Sequence, residues 1–328
     1  MKPARCKVLA TLGAATALLA AGTALAQGAY PNKPITIVVA YPAGGDVDVL
    51  ARLFAEKLGT RLKQSVVVEN RTGAAGTIGS AYVARANPDG YTLLVAPNTV
   101  AIAPLVLKAG TGASYDVQHD FTPVSQIGTQ SLFVVVNKGS GITKVSDLVA
   151  RARAGKVETY ATPGNGSPMH IMGELFNKSA GVKINQVPYR GLAPAIVDVL
   201  GGQVPVTFVT YGAVAQYVGN GSLVPLAVAG LKRSPFAPNV PTLAELGYKD
   251  VEIGAWQAML GPKGMPPEIV RTLNTHMNEI LKMPDVIARM ATIAVTPAGG
   301  DPAALSKLIA ADTTRYTKIV KEFGIQAD

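Results

Sequence analysis

Two kinds of apolar pattern recur along this chain: short, nearly continuous apolar runs closed by glycine, proline or polar clusters, and longer stretches where apolar residues return every three or four positions. The first reads as strands buried on both faces, the second as amphipathic helices. Ile35, Ile37, Val38, Val39 and Ala40 make the clearest strand, which ends at Tyr41 and Pro42. Ala43, Gly44 and Gly45 follow, a turn whose missing side chains let a ligand approach the backbone. Asp46 or Asp48 is placed to cap the next helix, whose Leu50, Leu53, Phe54 and Leu58 share one face. Strand, glycine turn and helix start aim unpaired N–H groups and the positive helix end at one point, which suits a small anion. Taken alone, the stretch is equally a tight βα connection that uses glycine. It lacks both G-x-G-x-x-G and G-K-S/T, so nucleotide binding is disfavoured.

Further along, Ser65 to Asn70 and Tyr91 to Ala96 read as strands. Between them Gly73, Gly76 and Gly79 recur every third residue into a predicted helix ending near Ala86, small enough to pack closely on the sheet or on the first loop. The strand at 91 runs into Pro97-Asn98-Thr99, a second polar loop at a carboxyl strand end, where open α/β sheets hold their ligands. A second lobe is predicted from the strand Ser131 to Asn137, a capped helix from Ser146 to Arg153, and a strand from Glu158 to Ala161. Thr162-Pro163-Gly164-Asn165-Gly166-Ser167-Pro168 is again a glycine-bearing loop before a helix. On that helix His170 either pairs with Glu174 one turn on or meets ligand. Ser167 beside His170 is not a nucleophile site, because no G-x-S-x-G elbow surrounds it and no orienting acid is in evidence.

Val187 to Tyr189 closes another strand, and Arg190-Gly191 opens a helix built on Ala193, Ile196, Val197 and Leu200. Arg190 either holds a carboxylate with its guanidinium or faces solvent and an acid such as Asp198. Strands follow at Val204 to Phe208 and Val224 to Ala229, with Tyr211 in the loop between. Thr242 and Glu245 form a capping box, and Trp256, on the strand Ile253 to Leu260, reads as core or hinge packing more readily than ligand stacking. Helices start at Pro267 and, capped by Asp301-Pro302, at the C-terminal end. No repeat or low-complexity linker appears, so crossing strands should join the lobes and act as a hinge.

Composition narrows the chemistry. The chain has 328 residues, 48% apolar and 16% charged, a size and character that favour two globular lobes. Lys2, Arg5 and Lys7 precede an uncharged run from Val8 that ends Ala24-Leu25-Ala26, the pattern of a signal peptide cleaved after Ala26; an uncleaved anchor is the competing reading, weakened by its many Ala, Gly and Thr residues. The single cysteine, Cys6, falls in that segment, so the mature chain has no disulfide, thiolate or cysteine metal site. His119, His170 and His276 lack metal-ligand spacing, and neither a metal nor another cofactor is expected. Removing three basic residues leaves 27 Lys+Arg against 21 Asp+Glu, a net +6 for the mature chain. That charge is spread out, so nucleic acid is not expected as a partner, while a small anion is favoured.

The motifs Y-P-N-K-P-I, Y-P-A-G-G-x-x-D-x-x-A-R, V-V-V-E-N-R-x-G-A-x-G-x-I-G, P-D-G-Y-T-L-L, V-P-Y-R-G-x-x-P-A and P-N-V-P-T-L-A-E-L-G-Y stand in order along nearly the whole mature chain. In these it resembles the periplasmic solute-binding receptors of tripartite tricarboxylate transporters, the Bug family. The resemblance implies an α/β periplasmic binding protein fold of the two-crossover type, two lobes with the ligand in the cleft between them. Residues 27–126 plus 254–328 would form lobe 1 and residues 127–253 lobe 2, after a signal peptide at 1–26. It implies a monomeric, non-enzymatic protein of the periplasm that captures a small organic acid and delivers it to integral membrane permease subunits; an alternative is a loaded form that reports the acid to a membrane sensor. A secreted hydrolase is disfavoured for want of catalytic residues.

In that family one ligand carboxylate is held by the first loop, here Tyr41, Pro42, Ala43, Gly44, Gly45, Val47 and Asp48, and the second-lobe loops close over it. The candidate set adds Pro97, Asn98 and Thr99 in lobe 1. From lobe 2 come Thr162, Gly164, Asn165, Gly166, Ser167 and His170, then Tyr189, Arg190, Gly191 and Tyr211. Two departures stand out: Asp46-Val47-Asp48 replaces Gly-Thr-Asp or Gly-Ser-Asp, and Val209-Thr210 follows Phe208 where an acid is common. Both predict a less polar pocket.

Overall fold

The computed structural model describes residues 30–107 and 114–326, so the expected signal segment and Cys6 lie outside the described residues. The first lobe is built from β1 (Ile35–Val39), α1 (Asp46–Leu62), β2 (Val66–Asn70), α2 (Thr77–Ala84), β3 (Thr92–Pro97) and α3 (Thr99–Val106). Then comes β4 (Phe121–Asn137), 17 residues long, which at about 3.3 Å per residue spans roughly 55 Å. That length lets one strand serve two lobes.

The second lobe continues through α4 (Val145–Arg153), β5 (Thr159–Thr162), α5 (Pro168–Ala180), β6 (Asn185–Pro188), α6 (Leu192–Leu200), β7 (Val206–Thr210), α7 (Tyr211–Gly219) and β8 (Leu223–Val228). β9 (Gly254–Pro262) re-enters the first lobe, followed by α8 (Pro267–Ile280), α9 (Pro284–Ala291), β10 (Thr296–Pro297) and α10 (Pro302–Phe323). The strand order is β2-β1-β3-β9-β4-β7-β5-β6, with β8 and β10 also on β4. β4 exchanges partners midway: Ser131 lies opposite Gly254 of β9, and Leu132 lies opposite Thr210 of β7. One strand, β4, thus runs through both lobes, and the chain returns to the first lobe where β9 begins.

Each half of the sheet is covered on both faces, as the continuous apolar runs require. In the first lobe Ile35, Ile37 and Val39 face Phe54, Leu58 and Leu273, while Val38 and Ala40 face Val100, Trp256 and Ile309. In the second lobe Val134, Val136 and Phe208 face Ile171 and Phe176, and Phe133, Val135 and Val209 face Ile196 and Val214. Each such side chain, fully buried, stabilises the fold by about 1.5–3 kcal/mol. Helix α10 begins on the first lobe with Leu305 and Ile309 and ends against the second, where Tyr316 and Ile319 join its core and Lys178 meets Glu322 at 2.5 Å.

Local expectations meet tertiary reality in three places. The helix read from Ser146 starts one residue earlier, at Val145 after Lys144, and has no side-chain N-cap. The Thr242–Glu245 box exists, with reciprocal bonds of 3.1 and 3.0 Å, but it closes a turn rather than a helix. Tyr211 opens α7 instead of sitting in a loop; two glycines and few large apolar residues dilute that helix's pattern, and packing of Val214 into the core decides the outcome.

Candidate functional site

Strands β1, β2 and β3 run parallel in one lobe and β5, β6 and β7 run parallel in the other. Parallel strands end on one edge, and both edges face the crossing: Thr210, last in β7, lies opposite Leu132, while Pro97, last in β3, lies opposite Gln257 of β9. Helices therefore start there from both sides, α1 and α3 from the first lobe and α5, α6 and α7 from the second. Their leading N–H groups have no intrahelical partner and carry the positive dipole end, so the junction favours an anion.

In the first loop the structure gives Asp48 a different task from capping. The N-cap of α1 is Gly45, with no side-chain cap. Asp48 is buried and accepts from Arg52 at 2.9 and 3.0 Å, from the Gly44 N–H at 2.9 Å and from Asn70 Nδ2 at 2.9 Å. Burial pushes its carboxyl up, yet the Arg52 guanidinium and these donors outweigh that and hold it below the usual range. Asn70 also donates to Tyr41 O at 3.0 Å, so the two ends of the loop are fixed. Pro42 to Gly45 remain exposed, and no atom lies within 4 Å of where a Cβ on Gly44, at φ +86°, would sit. The turn is open to solvent, although its Gly44 N–H is already taken by Asp48.

The second glycine-rich stretch packs on the first, as its spacing predicts. A Cβ on Gly76 would stand 2.8 Å from the Tyr41 hydroxyl, and one on Gly79 would stand 2.6 Å from Arg71 O. The Tyr41 hydroxyl donates to Ala75 O at 3.2 Å; burial pushes its pKa up to about 12, opposed by a Thr99 hydrogen bond, so it stays a neutral donor. Asn98 is fully buried, donating to Gly254 O and Tyr316 Oη at 3.0 Å each, and so ties β3, β9 and α10 together.

In the second lobe the Ser167 hydroxyl donates to Gly164 O at 2.9 Å and accepts from His170 N at 3.2 Å, the work of a helix cap. His170 Nδ1 accepts from Gly166 N at 3.2 Å, and its Nε2 lies 3.7 Å from Glu174, whose Oε1 takes the Tyr160 hydroxyl at 2.7 Å. No serine–histidine contact forms through a ring nitrogen. Gly166 is pressed on the first lobe: its Cβ would meet Val106 at 2.5 Å. Tyr189 donates to Asp198 at 2.5 Å, so Asp198 is engaged by the tyrosine, and burial with this acid raises the phenol to about 12. Arg190 is exposed beside Gly191. Tyr211 stacks on Phe133 at 5.1 Å, and Val209 lies wholly in the core.

Burial alone drives the His170 imidazole from 6.5 down to about 4. The unfolded chain then binds a proton near pH 6.5 that the folded chain refuses, so stability is present above 6.5 and falls as pH drops toward 4, by about 3 kcal/mol in all. Urea unfolding midpoints at pH 7 and pH 4.5 should therefore converge in His170→Gln, whose amide oxygen can still accept from Gly166; an unchanged pH slope would refute this.

Sequence reasoning missed the polar chain at the crossing. Gln257 Nε2 donates to Gln130 Oε1 at 2.6 Å, and Gln130 Nε2 donates to Asp46 Oδ2 and to Ile293 O at 3.0 Å each. Gly212 of α7 rests on the same Ile293, with a Cβ position 2.3 Å from its carbonyl oxygen. The only sequence signal was a pair of glutamines inside apolar strands. Among the described residues no group of His, Cys, Asp and Glu is placed to hold a metal ion, and no helix is long and apolar enough to cross a membrane.

The profile of the tripartite tricarboxylate transporter family receptor matches residues 50–325. Protein BugT of Bordetella pertussis is 37% identical over 320 residues, covering 97% of this chain and 98% of its own. Among solved structures, the periplasmic binding protein BugD aligns with TM-score 0.80 at 30% identity, over 91% of this chain and 100% of that one. Rpa4515 of R. palustris, solved with adipate, aligns with TM-score 0.83 at 34% identity, again over 91% and 100%. The two-lobed α/β architecture described above is that of these binding proteins.

Proposed function

Because this chain belongs to the tripartite tricarboxylate transporter receptor family, we propose that it is a periplasmic receptor that captures a small organic acid between its lobes and delivers it to the permease subunits of such a transporter. The observation that carries this reading is the exposed glycine turn that opens α1, a helix start with no side-chain cap. Backbone N–H groups there fix a carboxylate, and side chains around them sort the rest of the molecule. The similarity to a protein solved with adipate supports a carboxylate as the guest. The shared strand β4 and the return segment before β9 form a hinge that closes the halves by small φ/ψ changes.

Isothermal titration against mono-, di- and tricarboxylates, aromatic acids and acidic amino acids tests the proposal. At least one organic anion should bind more tightly than about 1 mM, equivalent to about −4 kcal/mol. Should every acid bind more weakly, the receptor reading fails.

A further inference from the structure

Resting on the receptor reading, in which the lobes move against one another, we propose that α10 is a third connection between them and that its threonine-bearing middle is where it bends as they open and close. At about 1.5 Å per residue its 22 residues make a rod roughly 33 Å long. Leu305 and Ile309 seat one half in the core of the first lobe, and Tyr316 and Ile319 seat the other half in the core of the second. The Lys178–Glu322 ion pair, at 2.5 Å, holds the far end as well. A stiff rod seated in both lobes would oppose any rotation of one against the other, so closure requires it to give at some point.

The joint in the helix lies level with the joint in the sheet. Asn98 Nδ2 donates to Tyr316 Oη of α10 and to Gly254 O, each at 3.0 Å, and Gly254 lies opposite Ser131, where β4 leaves its first-lobe partner. Two residues along β9, the Trp256 indole N–H donates to Asp312 one turn back in α10, at 2.7 Å. Between Ile309 and Tyr316 the sequence reads Ala-Ala-Asp-Thr-Thr-Arg, and none of these residues is buried. Neither core holds this stretch. Its own bonding loosens it: the hydroxyls of Thr313, Thr314 and Thr317 donate to the carbonyls of Ile309, Ala310 and Thr313 at 2.8, 2.9 and 2.7 Å, sharing each acceptor with the helical N–H. Such bonds weaken the ladder and bend helices, and β-branched threonine is a poor helix former besides. Their concentration at the level of the strand exchange makes this the soft segment of the rod.

Spin labels measure the motion. The single cysteine, Cys6, falls in the expected signal segment, so Lys282→Cys in the first lobe and Lys156→Cys in the second, both exposed, label the mature protein cleanly. Double electron–electron resonance on the ligand-free protein should give a broad or two-peaked separation, and adding Thr313→Ala, Thr314→Ala and Thr317→Ala together should narrow its width to below about half. Thr272→Ala, which removes a back-bond of the same kind to Glu268 O within α8, is the control and should leave the width unchanged. Amide exchange on the wild type needs no variant: Thr313, Thr314 and Thr317 should exchange at least about tenfold faster than Ile309 and Ile319. Should the triple variant melt early, exchange decides by itself. A triple variant as broad as the wild type, a single narrow separation in the wild type, or exchange no faster in the middle of α10 than beside it overturns the inference. None of these outcomes depends on which acid binds, so the helical hinge and the receptor reading fall separately.

Discussion

Gly212→Ala is expected to weaken ligand binding at least about tenfold without lowering the melting temperature. An alanine Cβ at this place would stand 2.3 Å from Ile293 O and 2.7 Å from its carbonyl carbon, and backbone cannot swing aside as a side-chain end can. Ile293 belongs to the turn before β10, which β4 holds in register at Gly128 and Thr129. Relief therefore comes from moving α7, and with it the second lobe, about 1 Å away from the first. On the proposed reading the ligand is held between both lobes, so apparent affinity falls with the fraction of closed molecules, tenfold for each 1.4 kcal/mol or so. Alanine is itself the better helix former by roughly 0.5–1 kcal/mol, so the second lobe loses no stability. Gly219→Ala, at the other end of α7 with no atom within 4 Å of its Cβ position, is the matched control and should bind normally. Titration of both variants against one acid decides; equal affinities would mean that this contact does not govern closure.

Phe208→Ala should cost about 4 kcal/mol, the largest stability loss expected from a single truncation here. Phe208 is fully buried in the middle of β7, edge-on to Tyr160 at 5.0 Å and 84° and beside Phe176 at 5.8 Å. Both partner rings are also fully buried. Removing the central ring leaves a cavity that its neighbours cannot fill, because the Tyr160 hydroxyl is tied to Glu174 and Gly173 sits against that ring, its Cβ position 2.4 Å from it. At about 2–4 °C per kcal/mol for a protein of this size, the melting temperature should fall by about 10 °C. Phe208→Leu keeps most of the volume and should cost less than half as much. A drop of under about 3 °C in Phe208→Ala would show that the three-ring cluster is not the keystone of the second lobe.

Much of the structure around the first turn was legible because it is local. The order β1, glycine turn, α1 follows from an apolar run, two glycines and a helical period, and the close packing of the second loop follows from glycines at 76 and 79. The capping aspartate at 301 is also read correctly, its Oδ1 accepting from Ala304 N at 2.6 Å. Roles that depend on a distant partner were not legible. Asp48 looked like a cap and is a loop anchor, because Asn70 and Arg52 converge on it. His170 reads as pairing with Glu174 or meeting ligand; its Nε2 does lie 3.7 Å from Glu174, and what the sequence did not show is that its Nδ1 and the Ser167 hydroxyl also close their own loop. Trp256 read as core, and its indole N–H donates to Asp312 of α10 at 2.7 Å, a partner no spacing rule points to.

The sequence by itself determined the class of elements, their order and the glycine turns at strand ends, since periodicity and backbone freedom are properties of neighbouring residues. Only the tertiary structure decided which polar groups meet. Gln130 reaches Asp46 across 84 positions and Ile293 across 163, and Gly212 comes to rest on that same Ile293. The physical reason is that a hydrogen bond or a steric stop acts over about 3 Å in space, and β4, by changing partners between Ser131 and Leu132, brings those distant residues within that range.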